Sequence, residues 1–252
     1  MLTKKVALVT GAARGLGKAI AEALSDAGAA VCLNDIDSNL LESTAAGLKK
    51  KGRKVMVSAV DVADQEKVEN MVSETINRFG RLDILVNNAG ISPKRDGQKI
   101  PFIDMPKDEW ARVLDVNLNG MFNCSQAAAR AMQHQGGGHI VNISSVSGRL
   151  YTALTACHYI TTKAAIIGFT RALAGELAEH DIKVNAIAPG RINTEMVKMV
   201  SFEVNQKFRN QIPLGTFGEP HHIAQAVTFL VSPAAEYMTG ITLDINGGMF
   251  MN

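Results

Sequence analysis

Short apolar runs rich in β-branched residues recur along the chain at 5–10, 30–35, 54–60, 84–87, 139–144, 183–188 and 241–245, with helix-length segments between them. Strands alternating with helices predict a parallel sheet covered on both faces. A continuous apolar run such as Ile84-Leu85-Val86 suits a strand buried on both sides. The segment 16–27 has apolar residues at helical spacing and ends at Gly28, which fits a helix C-cap. No internal repeat, low-complexity tract or Pro/Ser-rich linker interrupts the pattern. The expectation is an α/β fold with a doubly wound, seven-stranded parallel sheet, forming one domain over 1–252. Hydrophobic residues make up 46% and charged residues 20%, enough apolar material for a large core.

The first run ends in Thr10-Gly11-Ala12-Ala13-Arg14-Gly15-Leu16-Gly17 and opens a helix. Glycines there allow a tight turn and let backbone N–H groups approach a pyrophosphate at the helix N-terminus. Asp35 follows at the end of the second run. A carboxylate at that place can accept hydrogen bonds from the adenosine ribose hydroxyls and would repel a 2′-phosphate. Arg14, beside the glycines, could neutralise such a phosphate. Asp35 would sit closer to the ribose, so NAD is the preferred cofactor, with NADP possible.

The T-G-x-x-x-G-x-G spacing resembles that of the short-chain dehydrogenase/reductase family, and several further motifs extend the resemblance over essentially the whole chain. Asn87-Asn88-Ala89-Gly90 matches the family's N-N-A-G signature after the fourth strand. Asp61-Val62 resembles the pair whose side chain and backbone hold the adenine ring. Residues 189–194, Pro-Gly-Arg-Ile-Asn-Thr, resemble the P-G-x-I-x-T stretch that meets the nicotinamide carboxamide. The resemblance therefore implies cofactor contacts from Gly11, Arg14, Gly15, Leu16, Gly17, Asp35, Asp61, Val62, Asn88, Ala89, Gly90, Ile192 and Thr194, joined by Tyr159 and Lys163.

Tyr159 and Lys163 are four apart, which in a helix places them on one face. By resemblance, Ser145 is the catalytic serine, preceding Gly148 by three as in the family's S-x-x-G, and Asn117 completes an Asn-Ser-Tyr-Lys set. Reducing a ketone needs a hydride at carbon and a proton at oxygen, and Tyr159 would supply that proton or remove it in the reverse direction. A free tyrosine ionises near pH ~10, so working near neutrality asks for about 4 kcal/mol of help. An ammonium about 4 Å away in an effective dielectric of about 20 supplies a similar amount, a role for Lys163. Lys163 would also bond the nicotinamide ribose, Ser145 would hold the substrate oxygen, and Asn117 is implied to position a water that passes protons to Lys163.

Other chemistry finds less support. The six histidines show no metal-ligand spacing, so no metal is expected. His158 is expected in a structural or rim role, and His221 and His222 on the surface. A net charge of +2 gives no argument for nucleic acid or an anionic membrane, and no apolar run approaches a membrane span. The given sequence enters a strand-like run directly after Lys4-Lys5, so no signal peptide is expected. Cys32, Cys124 and Cys157 form no C-x-x-C pair, as expected of reduced thiols in the cytoplasm.

The stretches 91–105, 149–158 and 191–213 should choose the substrate, a small carbonyl or alcohol. The nearest likeness is to 3-oxoacyl-acyl-carrier-protein reductases. Against that likeness stand Asp35, the absence of basic residues at Gly136 and His180, a 91–105 loop longer than usual, and a Ser145-to-Tyr159 spacing one residue longer than usual. A dehydrogenase of a small polyol, sugar acid or other secondary alcohol is the alternative. A non-catalytic NAD(H)-sensing protein or a nucleotide-fold methyltransferase would leave the Asn-Ser-Tyr-Lys set unexplained. The resemblance also implies a homotetramer, with apolar helices at 110–133 and 159–178 pairing across a two-fold axis and the C-terminal strand near another.

Overall fold

A computed structural model describes residues 2–95, 97–198 and 202–252. Seven strands, β1 (Val6–Thr10), β2 (Ala30–Asn34), β3 (Val55–Ser58), β4 (Ile84–Asn87), β5 (Gly138–Ile143), β6 (Ile182–Pro189) and β7 (Thr242–Ile245), form one sheet. Their order is β3-β2-β1-β4-β5-β6-β7, and every pairing is parallel. All seven apolar runs are strands, each within a residue or two of its expected bounds.

Strand side chains alternate between two cores, as the two-residue period requires. Ala7 and Val9 of β1 pack on one face, with Ile20 and Leu24 of α1 (Gly15–Asp26), Leu41 of α2 (Ser38–Lys50) and Val227 of α9 (Pro220–Leu230). Val6 and Leu8 point to the other face, with Met71 of α3 (Gln65–Phe79) and Met132 of α5 (Gly120–Gln135). The central strands β1 and β4 are buried at every position, which is why they read as unbroken apolar runs.

Local signals set the helix ends. The side chains of Asp37 and Asp64 accept from the N–H groups of Leu40 and Lys67 and start α2 and α3. Helix α1 closes on Ala27, and Gly28 follows at φ +105°, the left-handed residue just beyond the cap. His222 is exposed, as expected, but also closes a reciprocal cap. The Glu219 N–H donates to its Nδ1 at 3.0 Å while the Glu219 side chain takes the first-turn N–H.

The segment read as one helix over 110–133 is instead three pieces. Helix α4 (Lys107–Leu114) runs into a π turn, Asp115–Asn119, before α5 begins. The Gly120 N–H reaches back five residues to the Asp115 carbonyl, so the turn is widened and Asn117 is rotated inward. Asn117 is fully buried. The remaining helices are α6 (Cys157–Leu177), α7 (Glu195–Lys198) and α8 (Phe202–Arg209). No described helix is long and apolar enough to cross a membrane.

Candidate active site

A cleft of about 730 Å³ opens at the C-terminal ends of β1, β2, β4, β5 and β6. It spans the point between β1 and β4 where chain order along the sheet reverses, the usual place for a nucleotide in such folds. A smaller hollow of about 130 Å³ at the other end of the sheet is lined by Lys5, Arg81 and Asp83, which pair with one another.

The cofactor half of the cleft is built on backbone. A Cβ at Gly17 would run into the Gly11 carbonyl oxygen, so the glycine loop lies flat against the start of α1. The N-cap residue, Arg14, offers no side-chain acceptor, leaving the first-turn N–H groups without a side-chain cap. Gly11, Arg14, Gly15 and Leu16 line the cleft over this floor. Asn88 ties the loop down, its amide donating to the carbonyls of Thr10 (2.9 Å) and Gly11 (3.1 Å). The Thr10 hydroxyl in turn accepts the N–H groups of Asn88 and Ala89, both at 3.0 Å. Thr10 is thus a positioning residue that had been noticed only as the first letter of a motif.

Asp35 lies at the tip of β2 and lines the cleft. Its two oxygens accept from the N–H groups of Ala13 (3.1 Å) and Asp37 (3.2 Å), which hold the carboxylate beside the glycine loop. Asp61 is already engaged. Partial burial raises its pKa, but the Ala63 N–H and the Arg112 guanidinium, at 2.8 Å, hold the carboxyl below the usual carboxylate range. Val62, Ala89, Gly90, Ile192 and Thr194 line the same cleft. A flat glycine floor, uncapped helix N–H groups and an acceptor at the tip of β2 fit a dinucleotide.

The other half brings Ser145, Tyr159 and Lys163 to the cleft, while Asn117 is buried and does not line it. Ser145 follows β5, and its hydroxyl accepts the Ser147 N–H at 3.1 Å. A Cβ at Gly148 would lie 2.5 Å from the Lys163 carbonyl oxygen, so this turn packs directly on α6. That contact gives the S-x-x-G pattern its physical meaning. Between this turn and α6, the Thr152 and Thr155 hydroxyls bond at 2.6 Å.

Electrostatically the site differs from the simple Coulomb expectation. Burial pushes the Tyr159 hydroxyl up, with Ser145 pulling it back, and burial pushes the Lys163 ammonium down to about 8. Lys163 donates to the Ile143 carbonyl at 2.7 Å, and its Nζ stands 5.5 Å from the centre of the Tyr159 ring. Desolvation of both groups therefore outweighs their mutual influence here. Asn117 braces the main chain beside this pair. Its side chain accepts from the Ile91 N–H (2.7 Å) and donates to the Ile91 carbonyl (3.0 Å) and to the Thr162 hydroxyl (3.2 Å). These bonds fix the loop segment following Asn-Asn-Ala-Gly to the π turn and, through Thr162, to α6.

His158 is fully buried, with its Nε2 3.1 Å from Glu109 of α4, a structural role as expected. Cys157 lies against Met105, Sγ to Sδ 3.8 Å. Lys94, Arg191 and Phe208, which line the cleft, fall within the 91–105 and 191–213 stretches expected to choose the substrate, though the sequence singles out none of them for that role.

The fold and this site define a nucleotide-dependent oxidoreductase, and the chain belongs to the short-chain dehydrogenase/reductase family, NAD(P)-dependent enzymes that interconvert a secondary alcohol and a ketone. Residues 11–250 match the family model described as enoyl-(acyl carrier protein) reductase. The chain is 43% identical to a 3-oxoacyl-[acyl-carrier-protein] reductase of Staphylococcus aureus over 252 residues, 100% of both chains. A crystal structure of the corresponding reductase from Brucella melitensis superposes with a TM-score of 0.95 at 41% identity, covering 100% of this chain and 93% of that one. A reductase of the same description with bound NAD, also from Brucella melitensis, gives a TM-score of 0.92 at 40% identity, covering 99% and 92%. A gluconate 5-dehydrogenase from Burkholderia cenocepacia, in complex with NADP and tartrate, gives 0.91 at 34% identity, covering 98% and 96%.

Proposed function

We propose that this single domain, 1–252, is an NAD-preferring reductase of a 3-oxoacyl-type ketone, acting reversibly on the matching secondary alcohol. The carrying observation is the convergence of Ser145, Tyr159 and Lys163 on the cleft wall facing the glycine floor. When bound, the nicotinamide dinucleotide supplies or accepts the hydride. Ser145 donates a hydrogen bond to the substrate oxygen, and Tyr159 gives that oxygen its proton or takes it away. Lys163, held by the Ile143 carbonyl, keeps positive charge beside the tyrosine and bonds the nicotinamide ribose. Asn117 holds the Ile91 segment that closes the site. The experiment is an absorbance assay at 340 nm with NADH and with NADPH on a short 3-oxoacyl thioester. No oxidation of either cofactor would overturn the reading.

A second reading, a dehydrogenase of a small polyol or sugar acid, has its own support. Gly136, a left-handed cap at φ +85°, and His180, beside Gln133, stand where carrier docking would favour basic side chains. The gluconate 5-dehydrogenase neighbour shares the fold closely. Buried free thiols at Cys32 and Cys124 support a cytoplasmic setting, and the family resemblance supports a homotetramer. Light scattering that finds a stable monomer at micromolar concentration would refute the tetramer.

A further inference from the structure

On the cleft wall shared with Ser145 and Tyr159 lie two cations from distant parts of the chain, Lys94 and Arg191. Arg191 is held from two sides. Its guanidinium carbon sits 4.2 Å from the centre of the Phe208 ring, and its Nη2 donates to Asn205 Oδ1 at 2.7 Å. Its Nε is buried and has no hydrogen-bond partner. Among the described residues neither Lys94 nor Arg191 makes an ion pair, although Asp35, Asp37, Asp61 and Glu195 also line the cleft. Arg112, by contrast, is neutralised by Asp61. Burial lowers the affinity of both groups for their protons, and for Lys94 the charge of Arg191 adds to the effect.

A half-buried guanidinium with an orphaned donor is incomplete until an acceptor meets it, and Lys94, exposed on the same cleft, is close enough for the two charges to feel each other. The glycine floor and the α1 N-terminus already offer the cofactor's pyrophosphate a separate place. We infer that Lys94 and Arg191 form a receptor for an anionic group on the substrate, a carboxylate or a phosphate carried by the molecule that bears the ketone. This assignment rests on the ketone-reductase reading and specifies its substrate class. The stacked, amide-anchored guanidinium supplies a fixed fork, while Lys94, on the 91–105 loop, supplies a point charge that can adjust.

The test measures binding to the NAD-loaded enzyme, where a ketone binds without turning over, using two matched pairs. One pair is 4-oxopentanoate and its methyl ester. The other is a 3-oxobutanoyl thioester of 4′-phosphopantetheine and that of pantetheine, which differ only by the phosphate. The anionic member of at least one pair should bind about tenfold tighter or better. Lys94→Gln and Arg191→Gln should each cut that preference to about threefold or less, and Arg191→Lys should restore part of it. A preference in the first pair assigns the receptor to a keto-acid carboxylate, and one in the second assigns it to the phosphate of a carrier arm. No preference in either pair, or a preference that survives Lys94→Gln or Arg191→Gln undiminished, overturns the inference. A matching loss of NADH affinity would instead give the pair to the cofactor's phosphates and overturn it as well. Turnover of the uncharged thioester with NADH reports separately on the ketone-reductase reading.

Discussion

The Asn117 side-chain amide grips the main chain of Ile91 at two points, accepting from its N–H at 2.7 Å and donating to its carbonyl at 3.0 Å. This imitates a strand pairing, and it joins the π turn to the segment that follows β4. Replacing Asn117 by Ala would orphan both backbone groups in a buried place. The expected cost is about 2–3 kcal/mol of stability, together with a fall in kcat as the Ile91 segment loosens. Urea denaturation and steady-state kinetics on the same preparation check both. Stability within about 0.5 kcal/mol of wild type would contradict the bracing role.

Tyr159→Phe keeps the ring and removes only the transferable proton. The variant should fold and bind cofactor normally yet lose nearly all turnover, at least about 100-fold. Retention of more than about a tenth of wild-type kcat would refute the role of Tyr159.

Lys163 links stability to pH in the cofactor-free protein. Burial lowers its pKa from 10.5 to about 8, so between those values the unfolded chain binds more protons than the folded one. Stability should therefore rise with pH from about 8 towards 10, while below 8 the buried ammonium weighs against folding. Tyr159, whose pKa burial raises, acts oppositely above its ordinary value, where the unfolded chain loses its proton first. Lys163→Met should flatten the rise and raise stability at pH 7 by roughly 1–2 kcal/mol, less than the full desolvation gain because the bond to Ile143 is lost. It should also abolish turnover. Thermal melts from pH 7 to 10 are the measurement, and an unchanged slope would count against this account.

Cofactor choice turns on Asp35 and Arg14. A 2′-phosphate beside the anchored Asp35 carboxylate should cost on the order of 1–4 kcal/mol, with Arg14 returning part of it. NAD should therefore lead NADP by about tenfold to thirtyfold in kcat/KM. Asp35→Ser should relax or reverse the preference, and Arg14→Ala should widen it. A wild type that favours NADP(H) would mean that the ribose does not meet Asp35.

Much of this protein was legible in its residues because the relevant signals are local. The two-residue and helical periods announced the strands and most helices, since each element must bury one face or stripe. The glycine floor, Asp35 and the Ser-Tyr-Lys spacing could be read because each depends on neighbours a few positions away. Tertiary structure decided the rest. The π turn that rotates Asn117 onto Ile91 leaves the apolar pattern over 110–133 looking like one helix, because one widened turn barely disturbs it. Burial, not proximity, sets the ionisation of Tyr159 and Lys163, and burial exists only once α6 packs on β5 through Gly148. The meeting of Lys94 with Arg191 carries no local signal at all. It arises because the loops after β4 and β6 open on the same cleft, and only the folded sheet brings their two charges there together.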